Sequence, residues 1–326
     1  MTSPVWQIKK GVWAGATICS APSISQWFVG GAADITSKGK LILINSGLSE
    51  AIIDVEIWSE SGIRPPKVVT LKANSSVVQS LDSLDPGAKQ IALHIVPRSG
   101  RVNAFLVDER GRGLKSLGGD MVNVSPDPSK VVVIPAIPHT KRSGKALRHV
   151  LRVIAPGDVD ARISVELIST KGSFIPVGFA DRAIKAGIVT EIPLNPQLAA
   201  STFALRISSD RPIVASVYSS TYAQAKTDFV WSTSTAEMKE YSLAVSGLAP
   251  TLVFAGEKIS ISLSILSTKK KEKKFTVTGE GIATFKVPNN ARTVNFTKVS
   301  DKTYGGALVS TQSGYGFLPL NPGSEI

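Results

Sequence analysis

Leu41-Ile42-Leu43-Ile44-Asn45-Ser46-Gly47, followed by Ala51-Ile52-Ile53-Asp54-Val55-Glu56-Ile57-Trp58, is the stretch that decides the fold. In its second half, apolar side chains alternate with Asp54 and Glu56. That period of two puts one set on each face of an extended chain. The arrangement returns 110 residues later as Leu151-Arg152-Val153-Ile154-Ala155-Pro156-Gly157, then Ala161-Arg162-Ile163-Ser164-Val165-Glu166-Leu167-Ile168. Between residues 41–62 and 151–172, nine of 22 positions are identical without a gap. A weaker third copy reads Thr251-Leu252-Val253-Phe254-Ala255-Gly256, then Ile259-Ser260-Ile261-Ser262-Leu263-Ser264-Ile265.

The copies continue to match downstream, where Ile91-Ala92-Leu93-His94-Ile95 corresponds to Phe203-Ala204-Leu205-Arg206-Ile207. A repeat of about 100 residues is a domain rather than a solenoid turn. β-Branched residues dominate the runs, and turn residues divide them every 8–12 positions. In the first copy, strands are expected near 27–30, 41–45, 52–58, 68–72, 77–81, 91–96 and 102–107. Seven short antiparallel strands per copy imply an all-β chain of three tandem immunoglobulin-like β-sandwich domains. The expected division is an N-terminal tail at 1–18 and domains at 19–125, 126–235 and 236–326. Residues 111–130 and 223–240 read as linkers, with a short helix expected over 235–240.

Composition narrows the class. The chain has 326 residues, 43% hydrophobic and 19% charged, which excludes a disordered polymer. One cysteine excludes a disulfide scaffold, and no apolar run reaches the 18 or so residues of a spanning helix. A lipoprotein reading of the segment ahead of Cys19 meets bulky Ile18 where signal processing needs a small residue. The expectation is either a cytoplasmic protein or a chain lacking its natural leader.

Cys19-Ser20-Ala21-Pro22 followed by Trp27-Phe28-Val29-Gly30-Gly31 resembles the entry motif of an uncharacterised actinobacterial family of exported proteins with a domain of unknown function. The turns Asn45-Ser46-Gly47 and Ala155-Pro156-Gly157 are similar to that family's. So are the connector Val131-Val132-Val133-Ile134-Pro135-Ala136-Ile137-Pro138 and the later segment from Leu205 through Arg206, Ile207, Asp210 and Pro212 to Ala215. The resemblance covers roughly residues 17–230. It implies tandem modules and an extracytoplasmic, envelope-associated location, but supplies no catalytic residues.

The chemistry search is sparse. There are three histidines: His94 reads as a paired or solvent-facing strand residue, and His139 and His149 lack zinc-type spacing. No zinc-protease, nucleophile-elbow or phosphate-loop motif occurs, and Asp158 with Asp160 is too sparse for calcium. The five tryptophans do not recur between copies and read as core or junction packing. The net charge of +12 has one concentration between His139 and His149 and another at Lys269, Lys270, Lys271, Lys273 and Lys274. Those five lysines are the candidate polyanion contact. They lack the interleaved aromatics of nucleic-acid readers, which disfavours nucleic acid.

The resulting expectation is a non-enzymatic envelope scaffold with no catalytic, cofactor-binding or metal-ligating residues and no cofactor. Its partners would be an anionic cell-wall polymer or another envelope protein. Membrane association would come only through a leader or anchor outside the sequence. The alternative is a carbohydrate- or polyanion-binding module at the cell wall. A third reading is an enzyme with its site between domains.

Overall fold

A computed structural model describes residues 3–8, 13–142, 145–223, 226–269, 271–311 and 314–320. The strands form wherever the two-residue alternation runs. Ala51–Ser59 buries Ala51, Ile53, Val55 and Ile57, while Asp54 and Glu56 face outward. Among the described residues the fold is all-β, and its single helical element is the 3-10 turn Leu81–Ser83.

In the first copy, the sheet of Gln26–Val29, Ile91–Ser99, Ala51–Ser59 and Gly62–Leu71 is antiparallel throughout. A second sheet orders Lys115–Val122, Asn103–Arg112, Lys40–Asn45 and Ser75–Ser80. Leu41, Leu43, Ile53, Val55, Leu93 and Leu106 fill the space they share. In the second copy, Thr202–Ala223 belongs to both layers. Its first part pairs with Ser129–Pro138 and Ala161–Ser169, its last part with His149–Ile154 and Lys226–Thr233. Leu151, Val153, Ile163, Val165, Leu205 and Val217 form the core there. The third copy is organised by the long hairpin of Thr251–Ser267 and Glu272–Lys286, which shifts register between Gly256 and Ile259. Both halves feed one core of Leu252, Phe254, Ile261 and Leu263.

Three local expectations are corrected. Where the sequence predicts a tail over 1–18, Ser3–Ile8 and Ala14–Cys19 form a hairpin whose Ala14, Ala16, Thr17 and Ile18 are buried. Ala16 and Ile18 belong to the third copy's core. The span 111–130 contains the buried strand end Gly118–Asn123, and 223–240 contains Phe229 and Trp231, both fully buried. Glycine and aspartate suggested loops there, but the glycines admit close approach and the aspartates accept backbone hydrogen bonds. Residues 235–240 are extended rather than helical, held by bridges from Thr235 to Val133 and from Glu237 to Tyr304.

The copies touch through equivalent positions. Trp27, Trp58 and Ala92 of the first pack on Ile154, Val189 and Val214 of the second. Val133, Ile168 and Ala204 of the second pack on Val253, Ile282 and Leu308 of the third. The registers match, because Trp58 opposes Ala92 as Ile168 opposes Ala204. Each large side chain taken wholly from water contributes about 1.5–3 kcal/mol, so these outer faces hold the copies together as a core would. In the third copy the position of Trp58 and Ile168 is taken by Leu266, which likewise precedes the turn serine, Ser267, and is 36% exposed.

Gly306 lies on the second contact. A methyl group there would sit 2.6 Å from the Phe317 ring and 2.7 Å from Ala136. Gly306→Ala is therefore expected to lose about 1–3 kcal/mol to overpacking, read as a lower Tm. Gly157→Ala meets nothing within 4 Å and should melt near wild type. Equal melting of the two variants would contradict the packing described.

Candidate functional site

The lysine cluster occupies the tip of the third copy's long hairpin. Lys269, Lys271, Lys273 and Lys274 are exposed, and Lys270 lies outside the described residues. Lys273 and Lys274 are successive strand residues and point to opposite faces, so the charges ring the tip rather than form one flat patch. The other basic concentration is not wholly a surface feature. His139 Nδ1 lies 3.0 Å from His149 Nε2, and His149 Nδ1 lies 2.9 Å from Ser219 Oγ. Both rings are buried against Phe203. Burial lowers both imidazoles, His149 to about 4, so both are neutral at pH 7.

A denser polar cluster lies between the first and second copies. Arg152, 1% exposed, leaves the strand His149–Ile154 and crosses the junction. Its guanidinium donates to Gly31 O at 2.6 Å, to Ile91 O and Lys89 O at 3.3 Å, and to Glu191 Oε1 at 2.7 Å. It also stacks 4.7 Å from the centroid of Trp231. Burial lowers its pKa, with Glu191 opposing. Nearby, Arg110 pairs with the fully buried Asp108, and its guanidinium carbon lies 5.4 and 5.3 Å from the Tyr218 and Phe229 ring centres. Burial opposes the Arg110 charge, but Asp108 outweighs it and pushes the pKa further up.

The strand Lys226–Thr233 completes the cluster. Trp231 donates its ring N–H to Asp108 Oδ2 at 2.9 Å and its backbone N–H to Asp120 Oδ2 at 2.7 Å. Asp228 accepts the backbone N–H of Gly119 at 3.0 Å and that of Ala14 at 3.2 Å. One carboxylate thus fastens the N-terminal hairpin, the first copy and the second. Burial drives Asp120 well above the carboxylate range and Asp228 up to about 7, although backbone N–H groups oppose both shifts.

A third arrangement lies where the second copy stops covering the first sheet. Glu56, His94 and Trp27 stand opposite one another on three adjacent strands. His94 Nδ1 is 2.8 Å from Glu56 Oε2, and its Nε2 is 2.9 Å from Ser25 Oγ. Trp27 stacks on the imidazole at 4.0 Å between centroids. Ser25 also donates to Asp127 Oδ1 at 2.7 Å. Ser25 and Asp127 open onto a cleft of about 480 Å³, bounded further by Ile18, Phe105, Asn123 and Pro319.

A family model matches residues 5–288. The chain belongs to a family of unknown function, DUF5719. No curated protein matches it. The three clusters therefore have to be read from their own chemistry. Sequence reasoning found the lysines because they are contiguous. It left His94 as a paired or solvent-facing strand residue, and missed Arg152, Asp120 and Asp228 because their partners lie 39 to 214 positions away. The one available signal was an arginine and two aspartates inside otherwise apolar or glycine-rich strand patterns. Among the described residues no group of three or more His, Cys, Asp and Glu side chains forms a metal-binding set.

Arg152→Met would strand the carbonyls of Gly31, Lys89 and Ile91, and is expected to destabilise the protein by about 3–5 kcal/mol in urea unfolding. The raised Asp228 pKa has a definite sign. Between roughly pH 4 and pH 7 the native carboxyl keeps a proton that the unfolded chain has released, so its contribution falls as pH rises through that window. Asp228→Asn should flatten this part of the stability profile. An unchanged slope between pH 4 and 7 would exclude Asp228 as its source.

Proposed function

We propose that the chain is a scaffold of three tandem immunoglobulin-like β-sandwich modules, associated with the cell envelope outside the membrane, which holds interaction surfaces at fixed separation. The observation that supports this reading is the Arg152 junction. An ionised side chain satisfied by carbonyls of one copy and a carboxylate of another cannot hinge without exposing unmet polar groups. Apolar contacts at equivalent positions between the second and third copies extend the same stiffness. Flexible strings of domains bury little between neighbours. This one buries tryptophans.

Limited proteolysis of the folded protein tests the rigidity. Resistance is expected across 111–130 and 223–240, and ready cleavage that separates intact modules would end the scaffold reading. Cell fractionation tests the location, because recovery of the native protein wholly from the cytosol would remove the envelope assignment.

A second reading rests on the exposed Lys269, Lys271, Lys273 and Lys274. A convex tip of like charges attracts a flexible polyanion such as anionic wall polymer, and that attraction is screened by salt. Immobilised polyphosphate should retain the protein, with elution at lower NaCl once these four lysines are replaced by Gln. Unchanged elution would exclude the tip as a contact.

A further inference from the structure

We propose that Ser25, His94 and Glu56 form a nucleophilic triad that hydrolyses carboxylic esters entering the adjoining cleft. This goes beyond the scaffold reading, departs from the expectation of a non-enzymatic protein, and depends on neither. The geometry is that of an activated serine: a hydroxyl at 2.9 Å from one imidazole nitrogen and a carboxylate at 2.8 Å from the other. Glu56 accepts the Nδ1 proton, which leaves Nε2 as the base facing Ser25. Trp27, stacked on the ring with an interplanar angle of 11°, fixes its plane. Glu56 and Trp27 are positioning residues, whereas Ser25 and His94 would touch the reacting atoms.

The repeat supplies an internal comparison. In the second copy Glu166 again stands opposite a basic residue, Arg206, at 3.9 Å. A cross-strand acid–base pair is thus what the sheet needs, and arginine meets that need. Histidine in the first copy adds a second ring nitrogen, and that nitrogen is the one aimed at Ser25. Val133 holds the register position of Trp27, and two residues upstream Val131 stands where the first copy has Ser25. Ring clamp and hydroxyl are therefore specific to the first copy, whose Ser25 borders the cleft.

Ser25 has one proton and two acceptors. Asp127 holds it at 2.7 Å, but Asp127 is an exposed loop residue and can turn away when an ester enters, leaving His94 as acceptor. Ser25 Oγ then bonds to the acyl carbon while its proton passes to His94 Nε2. The ester C–O bond breaks, and the leaving alkoxide takes that proton and departs as the alcohol. Water attacks the acyl-serine, giving a proton to His94, which returns it to Ser25 Oγ as the carboxylic acid leaves. Ester and water become acid and alcohol, with no other reactant.

The test is labelling of the full folded chain with a fluorophosphonate, in which Ser25 Oγ displaces fluoride at phosphorus. Mass spectrometry should place the adduct on Ser25, with none on Ser25→Ala. His94→Ala should slow labelling by ~100-fold or more, the scale of a lost general base. Glu56→Gln, which keeps size and hydrogen bonding, should slow it about 10-fold with an unchanged circular dichroism spectrum. Unfolding in urea should abolish it. Hydrolysis of p-nitrophenyl acetate should fall in parallel. Wild type labelled no faster than Ser25→Ala would overturn the proposal, and so would Ser25 labelling that is indifferent to His94.

Discussion

A guanidinium withdrawn from water must find acceptors for its donors, and Arg152 finds them only when two copies of the repeat are in one relative position. Three carbonyls come from the first copy and the Glu191 carboxylate from the second. Trp231 covers the charge at 4.7 Å and is itself fixed through Asp108 and Asp120. Replacing such a centre with hydrocarbon of the right shape could give equal stability. What the polar arrangement adds is selectivity, because a shift of one residue in register would leave several buried groups unmet.

The architecture rests on two kinds of constraint with different ranges. Alternation within strands decides which face is apolar, and it acts locally. The fit between copies decides where each outer face goes, and it acts across 61 to 214 positions of sequence. Asp228 joins both: it sits in an ordinary edge strand yet holds the backbone of Gly119 and Ala14. The close approach this requires explains Gly118, whose φ is +112° and where an added Cβ would fall 2.5 Å from Asp228 Oδ1.

That division decides what could be read from the sequence. All seven strands expected in the first copy exist with bounds within six residues of those expected, because Ile53-Asp54-Val55-Glu56-Ile57 and its relatives state their own periodicity. The strand Lys115–Val122 was hidden by glycines that suggested a loop, and Lys226–Thr233 by its position between two copies. The hairpin at the start of the chain was hidden because Ala14, Ala16 and Ile18 have no partner nearby in sequence. Of the candidate sites, only the lysines were visible, since adjacency along the chain is all that a charged tip needs. Ser25, His94 and Glu56 are 31 to 69 positions apart and meet only because three strands lie side by side.

Trp58 and Ile168 present the same edge of one copy to the next, which makes the contact heterologous: donor surface and acceptor surface differ. A rule of that kind has no closure of its own, and repeated indefinitely it would wind into a filament. In the third copy Leu266 holds the knob's place, partly exposed beside the turn that carries Lys269 and Lys271. Concentrated like charge next to that knob, rather than loss of the knob itself, opposes the addition of a further unit.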